Sequence, residues 1–206
     1  MWTFYNASGE QMIIDGGLHD ILEDTTPQLG GNLDMQANLL VGNGGSTGIA
    51  ISAAGEVTME EQPAFMAYLG STDSNQTGNG GNYTLGSGNA LTEVFDQNAD
   101  FVTTGTFTAP ITGRYMFAAC IRCNGVTAAA DDYEIRISSS NRAYIRNVFH
   151  INTMSTRQNP QIVAIVDMDA ADTATVILTG TGESGDVWDI AGDSDAVTYI
   201  GAYLFA

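Results

Sequence analysis

Short runs in which every second residue is apolar occur throughout this chain, and glycine, asparagine and serine separate them. The clearest run lies within residues 101–123 and comprises Tyr115, Phe117, Ala119 and Ile121. Side chains two residues apart lie on the same face of a β-strand, so this run predicts a strand with one buried face. Just before it, Pro110 lacks a backbone donor and Gly113 allows a tight turn, which favours a corner between two strands. Runs of this kind predict β-sheets rather than helices.

The composition narrows the range of partners. The 206 residues include 24 glycines, 24 acidic residues and only 6 basic ones, which gives a formal net charge of −18. Binding to nucleic acid or to an anionic membrane needs clustered Lys and Arg, so we expect neither. The sequence has no apolar run long enough to span a membrane, and we expect no secretion signal at its first residues. We therefore expect a protein that is made in a cytoplasm and stays there or leaves it within an assembly.

Three parts of the chain differ in pattern. Residues 1–23 hold two short apolar runs and suit an N-terminal attachment region. Residues 24–62 alternate in segments too short to bury a core in one chain, which predicts a shaft whose interior several identical chains share. A flexible glycine-rich linker is the alternative, but a linker has no need of alternating Leu, Ile and Val. Residues 63–206 contain about eight to ten predicted strands and predict a β-sandwich or jelly-roll head.

A resemblance to a known family supports the prediction for the head. The pattern G-x-F-T-A-P-x-x-G-x-Y-x-F at residues 105–117 resembles the central signature of the jelly-roll heads of complement component one q and tumour necrosis factor. Residues 63–69 and 199–205 resemble the opening and closing strands of that family. Residues 97–100 replace the family's usual Asn-x-Gly, so we expect a different loop there. The resemblance implies an all-β fold and a homotrimer, with subunit contacts on the last strand at Tyr199, Tyr203 and Phe205.

A second resemblance concerns the predicted shaft. The segment D-T-T-P-Q-L-G-G-N-L-D at residues 24–34 is similar to a module in tail fibres and other virion proteins of bacteriophages. That resemblance implies a trimeric shaft of intertwined β-strands just before a receptor-binding head. The alternating residues that follow would then meet their copies around the shaft axis, and the candidates for this contact are Leu39, Ile49 and Ile51.

The motifs of common enzymes are missing from the sequence. The two histidines, His19 and His150, lie in a weak N-terminal region and in a predicted strand, and no motif for a catalytic triad, a zinc protease or a phosphate loop accompanies them. Cys120 and Cys123 form a C-x-x-C pair near the end of a predicted strand, where residues three apart point to opposite faces, so we do not expect their sulfurs to meet. We therefore expect no enzyme activity.

An acidic loop around Trp188 is the best candidate for a binding site. Asp186 and Asp189 flank the indole, which could stack on a sugar ring, and Tyr83 lies in another glycine-rich loop. Charge runs are more often solvated faces, so an acidic loop anchored by Trp188 is the stronger expectation. We expect no required cofactor, although carboxylates and loop carbonyls would suit Ca²⁺.

The resulting hypothesis is a tail-fibre or tail-tip protein of a phage virion. As a homotrimer attached to other virion proteins, it would bind a glycan or protein receptor on the host surface, with Trp188, Tyr83, Asp186 and Asp189 as contacts. One alternative is a purely structural fibre or decoration protein. Another is a tailspike enzyme that cuts a surface polysaccharide, which would need paired carboxylates in the loop at 186–195.

Overall fold

The computed structural model describes residues 48–151 and 156–206 in full, together with the backbone of three short strand segments before them. The chain divides into two compact units, Met1–Leu39 and Leu40–Ala206. In the first unit the described part is one antiparallel pair, β1 (Phe4–Tyr5) and β2 (Gln11–Met12). The phage-like segment at 24–34 and the predicted contact residue Leu39 lie outside the described residues.

The second unit begins with a small antiparallel sheet. Its strands are β3 (Leu40–Val41), β4 (Gly48–Ile51) and β5 (Val57–Met59), and β4 lies between the other two. This sheet falls within the part of the sequence for which a shaft is predicted. The strands are short, as their alternating runs predicted.

Fourteen further strands follow. In chain order they are β6 (Ala64–Tyr68), β7 (Asp73–Thr77), β8 (Asn82–Thr84), β9 (Thr92–Asp96), β10 (Phe101–Val102), β11 (Thr106–Thr108), β12 (Gly113–Cys120), β13 (Cys123–Asn124), β14 (Asp132–Ser139), β15 (Ala143–Phe149), β16 (Gln161–Met168), β17 (Thr173–Gly180), β18 (Trp188–Ile190) and β19 (Tyr199–Leu204). No α-helix occurs in the described residues. The prediction of an all-β jelly-roll head is confirmed.

Two large antiparallel sheets form the sandwich. The first has the order β16-β12-β19-β6-β9, and the second has the order β10-β11-β17-β14-β15, with β8 also paired to β17. A small third sheet, β13-β18-β7, adjoins them. Neighbours in the first sheet are far apart in sequence, because β12 pairs with β16 on one side and with β19 on the other. The connections therefore cross between sheets, as a jelly roll requires.

The two sheets meet through an aromatic core. The rings of Phe65 and Phe101 stack with centroids 4.2 Å apart, and Phe107 packs edge-on against Phe117 at 5.6 Å. Tyr115 and Phe117 on β12 are fully buried, so the alternation that predicted this strand also predicted its inner face correctly. Burial of such large side chains supplies most of the driving force for folding.

The segment Gln161–Met168 is apolar on both faces for a reason that the sequence left open. It forms β16, which is an edge strand and pairs only with β12 among the described strands. Ile162 and Val166 point into the core, while Val163 and Ile165 are exposed on the opposite face. The outward side of β16 is therefore an exposed apolar surface, formed by Val163 and Ile165.

Candidate functional site

The outward side of the five-stranded sheet carries a continuous apolar surface. On β12 the inward residues alternate with Met116 and Ala118, which point outward and are half-buried. Neighbouring strands add further uncharged side chains to the same side. We call this surface the apolar face and define it by six residues, Met66, Phe95, Met116, Ala118, Val163 and Tyr203.

The apolar face is concave and almost free of polar groups. It forms a depression of about 480 Å³, and no Asp, Glu, Lys or Arg side chain lines it. Val163 exposes 62% of its surface, Phe95 47% and Tyr203 46%. The Tyr203 hydroxyl donates to the Met116 sulfur at 2.9 Å, so this polar group bonds to another side chain of the apolar face. Contact of this surface with water is unfavourable, at about 25 cal/mol per Å² of apolar area.

The predicted contact residues on the last strand face the same way. In β19, Ile200 and Ala202 are buried, while Tyr199 and Tyr203 lie on the outward side. Phe205 follows the end of β19 and exposes 57% of its surface. The structure thus places all three residues where a contact with another molecule can form.

The small sheet β3-β4-β5 has no interior of its own. None of the described residues 48–61 is buried, and four large apolar side chains in this sheet stand in solvent: Ile49, Ile51, Val57 and Met59. The Asn98 amide donates to the Glu61 carbonyl at 2.8 Å, and the Gln62 amide donates to the Leu204 carbonyl at 3.1 Å. The segment after β5 is therefore fixed to the head near the end of β19.

Trp188 does not lie at an exposed edge. It begins β18, its side chain is fully buried, and its indole N–H donates to a carboxylate oxygen of Glu183 at 3.1 Å. A Cβ atom built on Gly180 would lie 2.3 Å from the indole, so this glycine makes room for the ring. The ligand-stacking role considered for Trp188 is therefore wrong, because a ring buried in the core cannot pack on a ligand. Its burial agrees instead with the stronger expectation, in which Trp188 anchors the acidic loop.

Tyr83 is also part of the core. Its hydroxyl donates to a carboxylate oxygen of Asp73 at 2.6 Å, and both residues are buried. Asn89 donates to the other oxygen of Asp73 through its backbone N–H at 2.8 Å. Burial, and next the hydrogen bond to Asp73, raise the pKa of Tyr83 above its usual value. This pair is a satisfied buried network rather than a ligand-binding group.

The four predicted receptor contacts lie around β7, β8 and the loop between them, and the carboxylates of Asp186 and Asp189 accept hydrogen bonds from this part of the fold. The backbone N–H of Asn75 donates to Asp189 at 2.9 Å, and that of Asn79 donates to Asp186 at 3.4 Å. Both carboxylates thus hold residues 186–189 against β7 and the loop that follows it. Sequence reasoning missed Asp73 and Glu183, which accept hydrogen bonds from Tyr83 and Trp188 at ten and five residues' separation. The sequence does not show these bonds, because both rings are placed by strand pairing with distant segments.

The remaining reactive side chains form no catalytic arrangement in the described ranges. Cys120 and Cys123 are both buried free thiols, and burial raises the pKa of each. His150 follows β15 rather than lying inside it, and its exposed ring is 3.6 Å from Asp131. Among the residues that the structure describes, no cluster of three or more His, Cys, Asp or Glu side chains could hold a metal ion. No helix in the same residues is long and apolar enough to cross a membrane.

Comparison with known proteins yields likeness in structure alone. No protein-family model matches the sequence, and no curated protein matches it. The vertex protein P5 of phage PRD1 is similar over 93% of this chain and 97% of its own, with 12% identity and a TM-score of 0.53. The globular domain of zebrafish complement 1qA protein covers 71% of this chain and 98% of its own, with 18% identity and a TM-score of 0.49.

Murine APRIL is a further similar structure, with 10% identity, a TM-score of 0.47 and coverage of 70% of this chain and all of its own. At 12% identity, the likeness to P5 bears on the fold alone. The likeness to P5 extends over nearly the whole chain and agrees with the jelly-roll topology described above.

Proposed function

We propose that this protein is a virion surface component that works as a homotrimer, with three jelly-roll heads held together through the apolar face and through the small β3-β5 sheet. The observation that carries the proposal is the apolar face itself. A well-packed head with its own core leaves a concave, uncharged surface in solvent, and such surfaces mark protein contacts.

A second copy of the same chain is the occupant that fits this surface best. The chain carries a net charge of −18, so copies repel one another over most of their surface. The apolar face lacks charged side chains and is the part of the head where two copies can approach without that penalty. The sequence resemblance to complement-type and tumour-necrosis-factor-type heads favours three copies, and the likeness to a phage vertex protein supports a place on a virion.

The small sheet supports the same arrangement. Four large apolar side chains of this sheet are exposed to water in a single chain and contribute no burial energy there: Ile49, Ile51, Val57 and Met59. Three copies around one axis would bury them in a shared interior. The hydrogen bonds from Asn98 and Gln62 hold the following segment against the head, so a trimer of heads would also gather the three sheets.

A pair of matched substitutions tests this proposal. Val163→Glu places a charge in the apolar face, whereas Val102→Glu places the same charge on the other sheet, at a position with similar exposure. Light scattering after size exclusion should give trimers for the wild type and for Val102→Glu, and single chains for Val163→Glu. Trimers of the Val163→Glu protein, or single chains of the wild type, would contradict the proposed interface.

The trimer would serve to display the heads to a receptor on the host surface, where three weak contacts combine into strong attachment.

A purely structural cap is the second candidate, and the burial of Trp188 and Tyr83 favours it, because these rings are not free to bind. Added protein should compete with virions for adsorption to host cells if the head binds a receptor. Unchanged adsorption at saturating protein would favour the cap.

A further inference from the structure

A polar pocket lies on the second sheet, on the side of the sandwich opposite to the apolar face. It measures about 260 Å³ and is lined by Asn82, Asp132, Glu134, Arg136, Asn147 and Phe149. We propose that this pocket binds a neutral sugar ring of a host-surface glycan. The inference deepens the proposed display function and rests on it, since it names the ligand class that the displayed head would recognise.

Strand register builds the pocket. Asp132 and Glu134 on β14 lie directly opposite Phe149 and Asn147 on β15, and Glu134 also lies opposite Thr179 on β17. Thr179 in turn pairs with Asn82 on β8. Residues in such rows point to the same side of a sheet, so polar groups from four strands converge on one surface.

Hydrogen bonds already hold most of the polar groups in place. Arg136 donates to Glu134 at 2.7 Å, the Thr179 hydroxyl donates to the side-chain oxygen Oδ1 of Asn82 at 2.6 Å, and the Thr181 hydroxyl donates to Asp132. Each acceptor keeps further lone pairs free, and the Asn82 amide keeps its N–H donors. A ligand therefore meets a fixed array of acceptors and donors, which lowers the entropy cost of binding.

Phe149 gives the pocket an apolar wall that the fold does not explain. Its ring exposes 64% of its surface at the end of β15, while the neighbouring Val148 packs against the core. One face of a hexopyranose presents C–H groups, which pack on the electron-rich face of an aromatic ring. The hydroxyl groups at the rim of the same sugar would donate to carboxylate and amide oxygens.

The charge of the pocket decides between classes of sugar. The pocket holds two carboxylates, Asp132 and Glu134, and one guanidinium, Arg136, so its net charge is negative and repels an anionic sugar. The hydroxyl groups of a neutral sugar can instead donate to the carboxylate oxygens. The volume lies slightly below the range of about 300–1,000 Å³ that drug-sized ligands occupy, which suits one or two sugar rings. Asn147 is exposed beside the ring and adds both a donor and an acceptor.

Saturation-transfer NMR on the full chain tests the ligand class. The probes are free glucose, galactose, mannose and N-acetylglucosamine at millimolar concentration, with N-acetylneuraminic acid as the anionic comparison. We expect saturation of the C–H protons in at least one neutral sugar, and a weaker effect on the acid. No transfer to any neutral sugar, or transfer to the acid alone, overturns the proposal.

Three substitutions locate the binding. Phe149→Ala and Asn147→Ala change exposed side chains of the pocket and should lower the affinity for the bound sugar about tenfold or more. Val102→Ala is the control, because Val102 is exposed to a similar degree on the far edge strand of the same sheet. Affinity like that of the control in both pocket variants would refute the site. If light scattering gives a trimer but no sugar binds, the sugar proposal fails while the proposed homotrimer stands. The failure of one proposal can therefore be told from the failure of the other.

Discussion

Tyr83 lies in the core because β8 pairs with β17 and turns its ring inward, where the hydroxyl donates to Asp73. Its neighbours in sequence are glycines and asparagines, which are typical of an exposed recognition loop. Trp188 is also buried, as the expectation of an anchored acidic loop implied, and it is placed by the pairing of β18 with β7. In both cases the deciding contact joins residues that are distant in sequence, and no local pattern reveals it.

The Tyr83–Asp73 hydrogen bond should contribute measurably to stability. Tyr83→Phe keeps the ring but removes a donor from a buried carboxylate, which should lower the free energy of unfolding by about 1–3 kcal/mol. Tyr68→Phe is a suitable control, because Tyr68 is partly exposed on the outer side of β6. Urea unfolding followed by fluorescence measures both, and equal losses in the two variants would argue against the buried network.

Glu183 makes the stability depend on pH in the acid range. Burial acts to raise its pKa, but hydrogen bonds from the Thr127 backbone, the Trp188 indole and the Thr127 hydroxyl outweigh burial and lower the pKa below its usual value. Because the folded pKa is depressed, the carboxylate stabilises the fold above the unfolded pKa. That contribution is lost as the pH falls through the folded pKa.

The variant Glu183→Gln tests this linkage. It should be less stable than the wild type near pH 7, and the difference should shrink at about pH 3, below the ordinary pKa of a glutamate. Free energies of unfolding at the two pH values measure the change. A difference that stays constant between them would show that Glu183 contributes through packing alone.

The elements of the head follow from sequence more reliably than the single residues do. Alternation predicted β12 with the correct inner face, because a period of two is a local property. The family resemblance located β6 and β19. The order of the strands within the sheets is set by contacts between distant segments, and so the edge position of β16 could not be predicted. The inward side chains of β16 pack in the core, and its outward Val163 belongs to the apolar face. Both sides of the strand are therefore apolar.

The tight turn between β10 and β11 should tolerate only glycine. Gly105 has φ +91°, and a Cβ atom there would lie 1.8 Å from the Leu85 carbonyl oxygen. Gly80 has a similar φ of +98° but open space around it. Gly80→Ala should therefore cost only the strain of about 1–2 kcal/mol, while Gly105→Ala should cost clearly more or prevent folding. Thermal unfolding compares them, and similar melting temperatures would contradict the close approach.

The assembled molecule should respond to salt in a way that a monomer does not. Three chains of −18 repel one another, and the proposed contact is apolar, so screening of that repulsion should strengthen the trimer. The concentration at which trimers dissociate should fall as NaCl rises from low concentration to about 0.15 M. Dissociation promoted by salt would instead mean that ion pairs between subunits hold the assembly.

The number of chains in the particle decides whether the apolar face is a subunit contact. Native mass spectrometry of the unmodified protein counts them directly. One chain has a mass of 21.7 kDa, so a homotrimer predicts a dominant species at three times that value, about 65 kDa. A dominant species at 21.7 kDa, at concentrations where the head is folded, would mean that the apolar face is not a subunit contact.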